Sequence, residues 1–137
     1  MRNISFSATI PQFRARRKHV TRRGNANGPT WKHLKAGDIL MGCEKCQGLG
    51  KGGNIVQMAP IVVLEVSREP VDDIIKRPMR HLNPCCLTPV WWMDETTLEG
   101  FPELTPEQFV DMFCQMNNCE PETEITRILF DYVGNAS

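Results

Sequence analysis

The sequence predicts an α+β domain, a small mixed β-barrel with a few flanking helices. Short runs of strand character recur along the 137 residues, separated by clusters of Gly, Asn and Pro. Only one stretch carries a strong helical signature. The length fits a single domain spanning 1–137, enough to bury roughly two-thirds of the surface of the unfolded chain. A hydrophobic content of 41% and a charged content of 23% are ordinary for a soluble globular protein.

Taken in order, Ile4-Ser5-Phe6-Ser7-Ala8 alternates and reads as a first strand. Pro11 to Lys18 reads as a short helical or irregular segment, His19 to Arg23 as extended chain, and Gly24 to Pro29 as a turn. Asp38 to Cys43 is a strand. The glycine-rich Gly48 to Gly53 forms a loop into Ile55 to Met58, and Ile61 to Ser67 is a further strand. Val71 to Lys76 is a short helix closed by Pro78, and residues 78–93, with three prolines, form a long irregular excursion. Thr105 to Met116 is the strongest helix: Thr105 caps it, Pro106 suits the first turn, and Gln108 completes a capping box. Phe109, Met112, Phe113 and Met116 then form one apolar stripe, which belongs to the core. Ile125 to Val133 closes the sheet, with Ile128 and Phe130 on one face and Arg127 and Leu129 on the other.

The 16 Lys+Arg and 16 Asp+Glu cancel, but their positions do not. Residues 1–37 carry nine Lys/Arg and no acid; residues 94–137 carry ten acids and only Arg127. A basic segment of this kind attracts phosphates even in a neutral protein. No apolar run approaches the roughly 20 residues of a membrane span, and the N-terminus lacks a signal-peptide core. A cytoplasmic setting is therefore expected, where six cysteines serve as thiols or metal ligands rather than disulfides.

Within the basic segment, Lys18-x-x-Thr21-x-Arg23 is followed by Trp31 and the turn Leu34-Lys35-x-Gly37-Asp38. Later come Glu99-Gly100-Phe101-Pro102, then Thr105-Pro106-Glu107-x-Phe109, and finally Thr126-Arg127-Ile128-x-Phe130-x-Tyr132. Together and in this order, from Ile4 to Val133, these motifs resemble the ASCH family of the PUA-like superfamily, and its phage and prophage branch in particular. The resemblance implies a PUA-like barrel, and the host cytoplasm if the chain is phage-encoded. It further implies a distant likeness to the bacterial acetylcytidine amidohydrolase, whose lysine, threonine and glutamate fall on Lys18, Thr21 and Glu99.

Those roles are chemically coherent. Thr21 would attack an acyl carbonyl, Lys18, kept neutral by neighbouring arginines, would take its proton, and Glu99 would shuttle a proton to the leaving amine. Residues i and i+3 of a regular strand face opposite ways, so Lys18 and Thr21 converge only where the backbone departs from regularity. Asp94, Glu95 and Glu103 are alternatives to Glu99. Arg22, Arg23, Trp31, Lys32 and Lys35 suit nucleic acid, the cations at phosphates and the indole on an unpaired base, although Trp31 also suits a core position. Trp91-Trp92 offers another wall for a base.

Cys43-x-x-Cys46-x-Gly48-x-Gly50 has the form of one DnaJ-type zinc repeat, which is half a site because structural zinc takes four ligands. Cys85 and Cys86, with or without His81, or Cys114 and Cys119, would have to complete it; otherwise these are free thiols and no cofactor is required. The combined expectation is a protein that binds RNA or a modified nucleoside, acting as an amidohydrolase on a modified base. Two alternatives stand beside it: a non-catalytic RNA-binding accessory module, and an RNA-cleaving ASCH protein in which His19 and His33 matter.

Overall fold

The computed structural model describes residues 2–24, 31, 33–46, 53–82 and 91–134, with backbone only at 81, 82, 91 and 92. Its main sheet has five strands: β1 (Arg2–Ser5), β2 (Val20–Gly24), β3 (Ile39–Cys43), β4 (Gln57–Pro70) and β7 (Glu124–Tyr132). They lie in the order β1-β3-β4-β7-β2, with β1 parallel to β3 and the other pairs antiparallel. The remaining elements are α1 (Ile10–Arg14), α2 (Asp73–Lys76), β5 (Met79–Leu82), β6 (Trp91–Asp94), α3 (Glu95–Leu98) and α4 (Pro106–Asn117).

β7 runs through the middle of the protein and is buried along most of its length. Its alternation serves two cores. Ile128, Phe130 and Tyr132 pack with Ile4, Phe6, Phe13, Trp31, Leu40, Ile61 and Val63 on one face. On the other, Leu129 meets Val20 and Leu98, while Ile125 joins Val71, Ile74 of α2 and Phe109, Val110 and Phe113 of α4. Each such aromatic or branched side chain contributes about 1.5–3 kcal/mol on burial. The predicted two-faced character of β7 is thus what the packing uses.

The sheet curls into a half-barrel, aided by register shifts at Gly42/Cys43 and Val63/Glu65. Its two edge strands approach each other: the Arg23 guanidinium on β2 donates to the Ser5 main-chain oxygen on β1. Gly42 allows Phe13 to lie against β3, since a Cβ there would stand 2.3 Å from Phe13 Cζ. The turn before β3 is closed by Gly37, at φ +96°, and by the Lys35 amide donating to the Asp38 carboxylate.

Two expectations change. Ile55 to Met58 and Ile61 to Ser67 are not separate strands: the 14-residue β4 takes in all but its first two residues. The predicted irregular excursion at 78–93 instead contains the antiparallel pair β5–β6, with Met79 opposite Asp94. Pro78 precedes β5, and Pro84 and Pro89 fall outside the described residues. Of the expected Gly48 to Gly53 loop and Gly24 to Pro29 turn only Gly53 and Gly24 are described, and Gly24 ends β2. α4 has its Thr105 N-cap and Gln108 capping box, but its stripe is only half core: Phe109 and Phe113 are buried while Met116 is 60% exposed.

Candidate active site

The site begins where α1 ends. Arg16 adopts a left-handed φ of 58°, and the chain turns there, held by the Arg16 amide on Phe13 O and the Arg17 amide on Gln12 O. Lys18 therefore precedes β2 instead of belonging to it, and strand alternation does not bind it to the face opposite Thr21. The segment is then clamped. The His19 amide donates to Leu98 O at 2.7 Å, the Phe130 amide to His19 O at 2.9 Å, and the Tyr132 hydroxyl to Lys18 O at 2.6 Å. Burial, with Asp131 adding to it, raises the Tyr132 hydroxyl above its ordinary pKa, so it stays a donor.

Lys18 is buried, with its side-chain nitrogen 2.6 Å from Glu99 O and 2.8 Å from Glu99 Oε1. Glu99 caps the C-terminus of α3, and Gly100 turns the chain away at φ +99°; a Cβ there would press on Gln12. The second Glu99 oxygen takes Arg22 Nη1 at 2.9 Å. Arg22 Nη2 reaches Glu95 Oε1 at 2.7 Å, and Arg127 holds both oxygens of Glu95 at 2.7 and 2.9 Å. The result is a buried chain of alternating charge, Lys18–Glu99–Arg22–Glu95–Arg127, which ties β2 and β7 to α3. Glu69 and Asp73 continue the pattern through Arg80.

Burial sets the proton affinities, and neighbours modify them. It pulls Lys18 below its ordinary value of 10.5; Glu99 opposes this, while Arg23 and Arg22 reinforce it. For Glu95, burial pushes the other way, but the hydrogen bonds and fields of Arg127 and Arg22 outweigh it and hold the carboxyl below its usual range. Arg23 is drawn down to about 10 by burial, against the attraction of Glu99 and Cys46.

Lys18, Thr21, Arg23 and Glu99 line one cavity of about 410 Å³, the size of a small-molecule site. Thr21 is buried on β2, and its Oγ1 accepts from Arg23 Nε at 3.2 Å. The opposite wall is apolar, from Phe101 and from Phe109, Met112, Phe113 and Met116 of α4. Of the alternatives to Glu99, Glu95 is committed to Arg22 and Arg127 deeper in the charge chain.

The expected nucleic-acid residues separate. Arg22 lines the cavity with a fully buried side chain whose guanidinium is paired with Glu95 and Glu99. Trp31 sits in the core beneath the Arg2 guanidinium, 3.8 Å from its ring, and shows an edge to the cavity. Lys35 is exposed on the turn before β3, away from the cavity lining; Lys32 lies outside the described residues. The basic and acidic thirds of the chain meet at the site, because Lys18 and Arg22 pair with Glu99 and Glu95.

Cys46 lines the cavity mouth beside Lys45, and Cys43 is buried behind it, its thiol pushed up to about 11 by burial and by Cys46. The Cys114 and Cys119 sulfurs lie 3.8 Å apart against α4. Among the described residues no three His, Cys, Asp or Glu side chains group to hold a metal; Cys85 and Cys86 lie outside them, and of His81 only the backbone is described. Sequence reasoning missed Arg127 and Tyr132 as supports of the site. Arg127, the one base in the acidic third, was the available signal.

The fold is a mixed α+β half-barrel with a polar cavity between its edge strands and α4. No family model matches the chain, and no curated protein matches it. It is similar in fold to the crystal structure of protein EF3133 from Enterococcus faecalis V583, of family DUF984, with a TM-score of 0.51 at 15% identity. The likeness covers 87% of this chain and 63% of that one, so this chain spans less than two thirds of its neighbour's length. At this identity the likeness concerns the fold. No helix among the described residues is long and apolar enough to cross a membrane.

Proposed function

We propose that the protein is an ASCH-like, PUA-related amidohydrolase that removes an acyl group from a modified nucleoside, with Thr21 as nucleophile, Lys18 as base and Glu99 as proton shuttle. The observation that carries this reading is the buried Lys18 amine, fixed by Glu99 in a cavity that also presents the Thr21 hydroxyl. A neutral amine has two N–H groups and one lone pair. Glu99 takes both N–H groups, through its main-chain oxygen and Oε1, which leaves the lone pair for an incoming proton.

In the proposed reaction Thr21 Oγ bonds to the acyl carbon as its proton passes to Lys18. The carbonyl π electrons move onto its oxygen. Collapse breaks the C–N bond, and the amine leaves with a proton relayed from Lys18 through Glu99. Water then cleaves the acyl-threonine ester, releasing a carboxylic acid and restoring the hydroxyl. Neither His19 nor His33 lines the cavity, which weighs against the RNA-cleaving reading. Mass spectrometry of a panel of N-acylated nucleosides and short RNAs after incubation tests the proposal. Free nucleoside plus carboxylic acid is the expected product; an unchanged panel favours the binding module.

A further inference from the structure

We infer that the cavity contains an anion subsite at Arg23 and takes a nucleoside monophosphate in preference to a neutral nucleoside. This rests on reading the cavity as a nucleoside site and adds the charge of its occupant. Three cationic residues, Arg22, Arg23 and Lys45, and the Lys18 amine line the cavity against a single carboxylate, Glu99. They are not equivalent. Lys18 and Arg22 are both bound to Glu99, and Arg22 to Glu95 as well.

Arg23 and Lys45 form no ion pair among the described residues. Arg23 spends Nε on the Thr21 hydroxyl and Nη2 on the Ser5 carbonyl, both neutral, and no described residue accepts from Nη1. A guanidinium drawn out of water against neutral acceptors remains short of compensating charge. Its Nη1 can donate to a phosphate oxygen, and a charge-assisted bond is about twice as strong as a neutral one. Exposed Lys45 adds a second cation at the mouth, on the same cavity wall as Cys46. Across from them, Phe109, Met112, Phe113 and Met116 offer an apolar surface to a flat base. The cavity is thus polarised, cationic on the β-strand side and apolar on the α4 side.

Isothermal titration of the intact chain with the four ribonucleosides and their 5′-monophosphates, at low and high salt, tests this. At least one monophosphate should bind about tenfold or more tightly than its nucleoside, an advantage that shrinks with salt. Arg23→Gln should reduce the monophosphate to the affinity of the nucleoside, and Arg23→Lys should keep part of the preference. Because Arg23 also joins β1 to β2, Lys45→Ala provides a variant at an exposed position that the fold does not depend on; it should weaken the monophosphate severalfold and leave the nucleoside unchanged. Equal affinity of a nucleoside and its monophosphate overturns the anion subsite and leaves the nucleoside reading standing. A preference that survives Arg23→Gln overturns the assignment to Arg23. Binding of neither class overturns both.

Discussion

Lys18 gains its proposed role from position more than from identity. The motif around it was legible because Lys18, Thr21, Arg23 and Glu99 stand at recognisable spacings, and the cavity gathers all four. What the sequence could not give was the reason Lys18 and Thr21 converge. That depends on a left-handed Arg16 and a strand that starts at Val20, neither visible in residue pattern. Lys18→Arg should be inactive, because a guanidinium stays protonated and cannot accept the proton of Thr21. Thr21→Ala should lose turnover by several orders of magnitude while ligand affinity, read by titration, changes little. With Lys18 lowered by burial, the rate in wild type should rise with pH through that lowered pKa and level off before 10.5.

At the scale of elements, α3 shows how much function rests on a segment too short to read. Four residues give no helical periodicity, yet α3 supplies Glu95, and Glu99 as its cap. The prolines at 78, 84 and 89 argued against strands, but none of them falls within β5 or β6. By contrast α4 announced itself, because its cap, proline and stripe agree. Glu95→Gln leaves Arg22 and Arg127 buried with one charge fewer between them, and should cost about 3–5 kcal/mol in urea denaturation. Gly42→Ala places a methyl against the Phe13 ring and should cost about 1–3 kcal/mol in the same assay, through overpacking.

For the whole molecule, part of the charge asymmetry seen in sequence becomes internal bonds, since Lys18 and Arg22 of the basic segment pair with Glu99 and Glu95 of the acidic one. Net composition could not reveal this, since pairing between residues 18 and 99 or 22 and 95 is a property of the curled sheet. The consequence is a defined pH dependence. Glu95 and Asp73 are held below their ordinary values of 4.5 and 3.8, so their stabilisation is present above those values and is lost as pH falls through the depressed ones. Lys18, lowered from 10.5, adds a further gain in stability as pH rises from its folded pKa toward 10.5. The raised Tyr132 acts oppositely above its ordinary value of 10.0. Thermal melting should therefore show a loss below about pH 4 and a second loss above about pH 9, where the raised Cys43 and Cys114 thiols and then Tyr132 ionise first in the unfolded chain.

The central claim, that Thr21 attacks an acyl group with Lys18 as its base, is tested most directly by trapping the intermediate. Wild-type protein is mixed with an N-acylated nucleoside that it turns over, quenched in acid within the first turnovers, digested and examined by mass spectrometry. The acyl mass should be found on the peptide carrying Thr21, and it should be absent from Thr21→Ala and Lys18→Arg. Hydrolysis at wild-type rates by Thr21→Ala, or an acyl group carried on any other residue, would contradict the account.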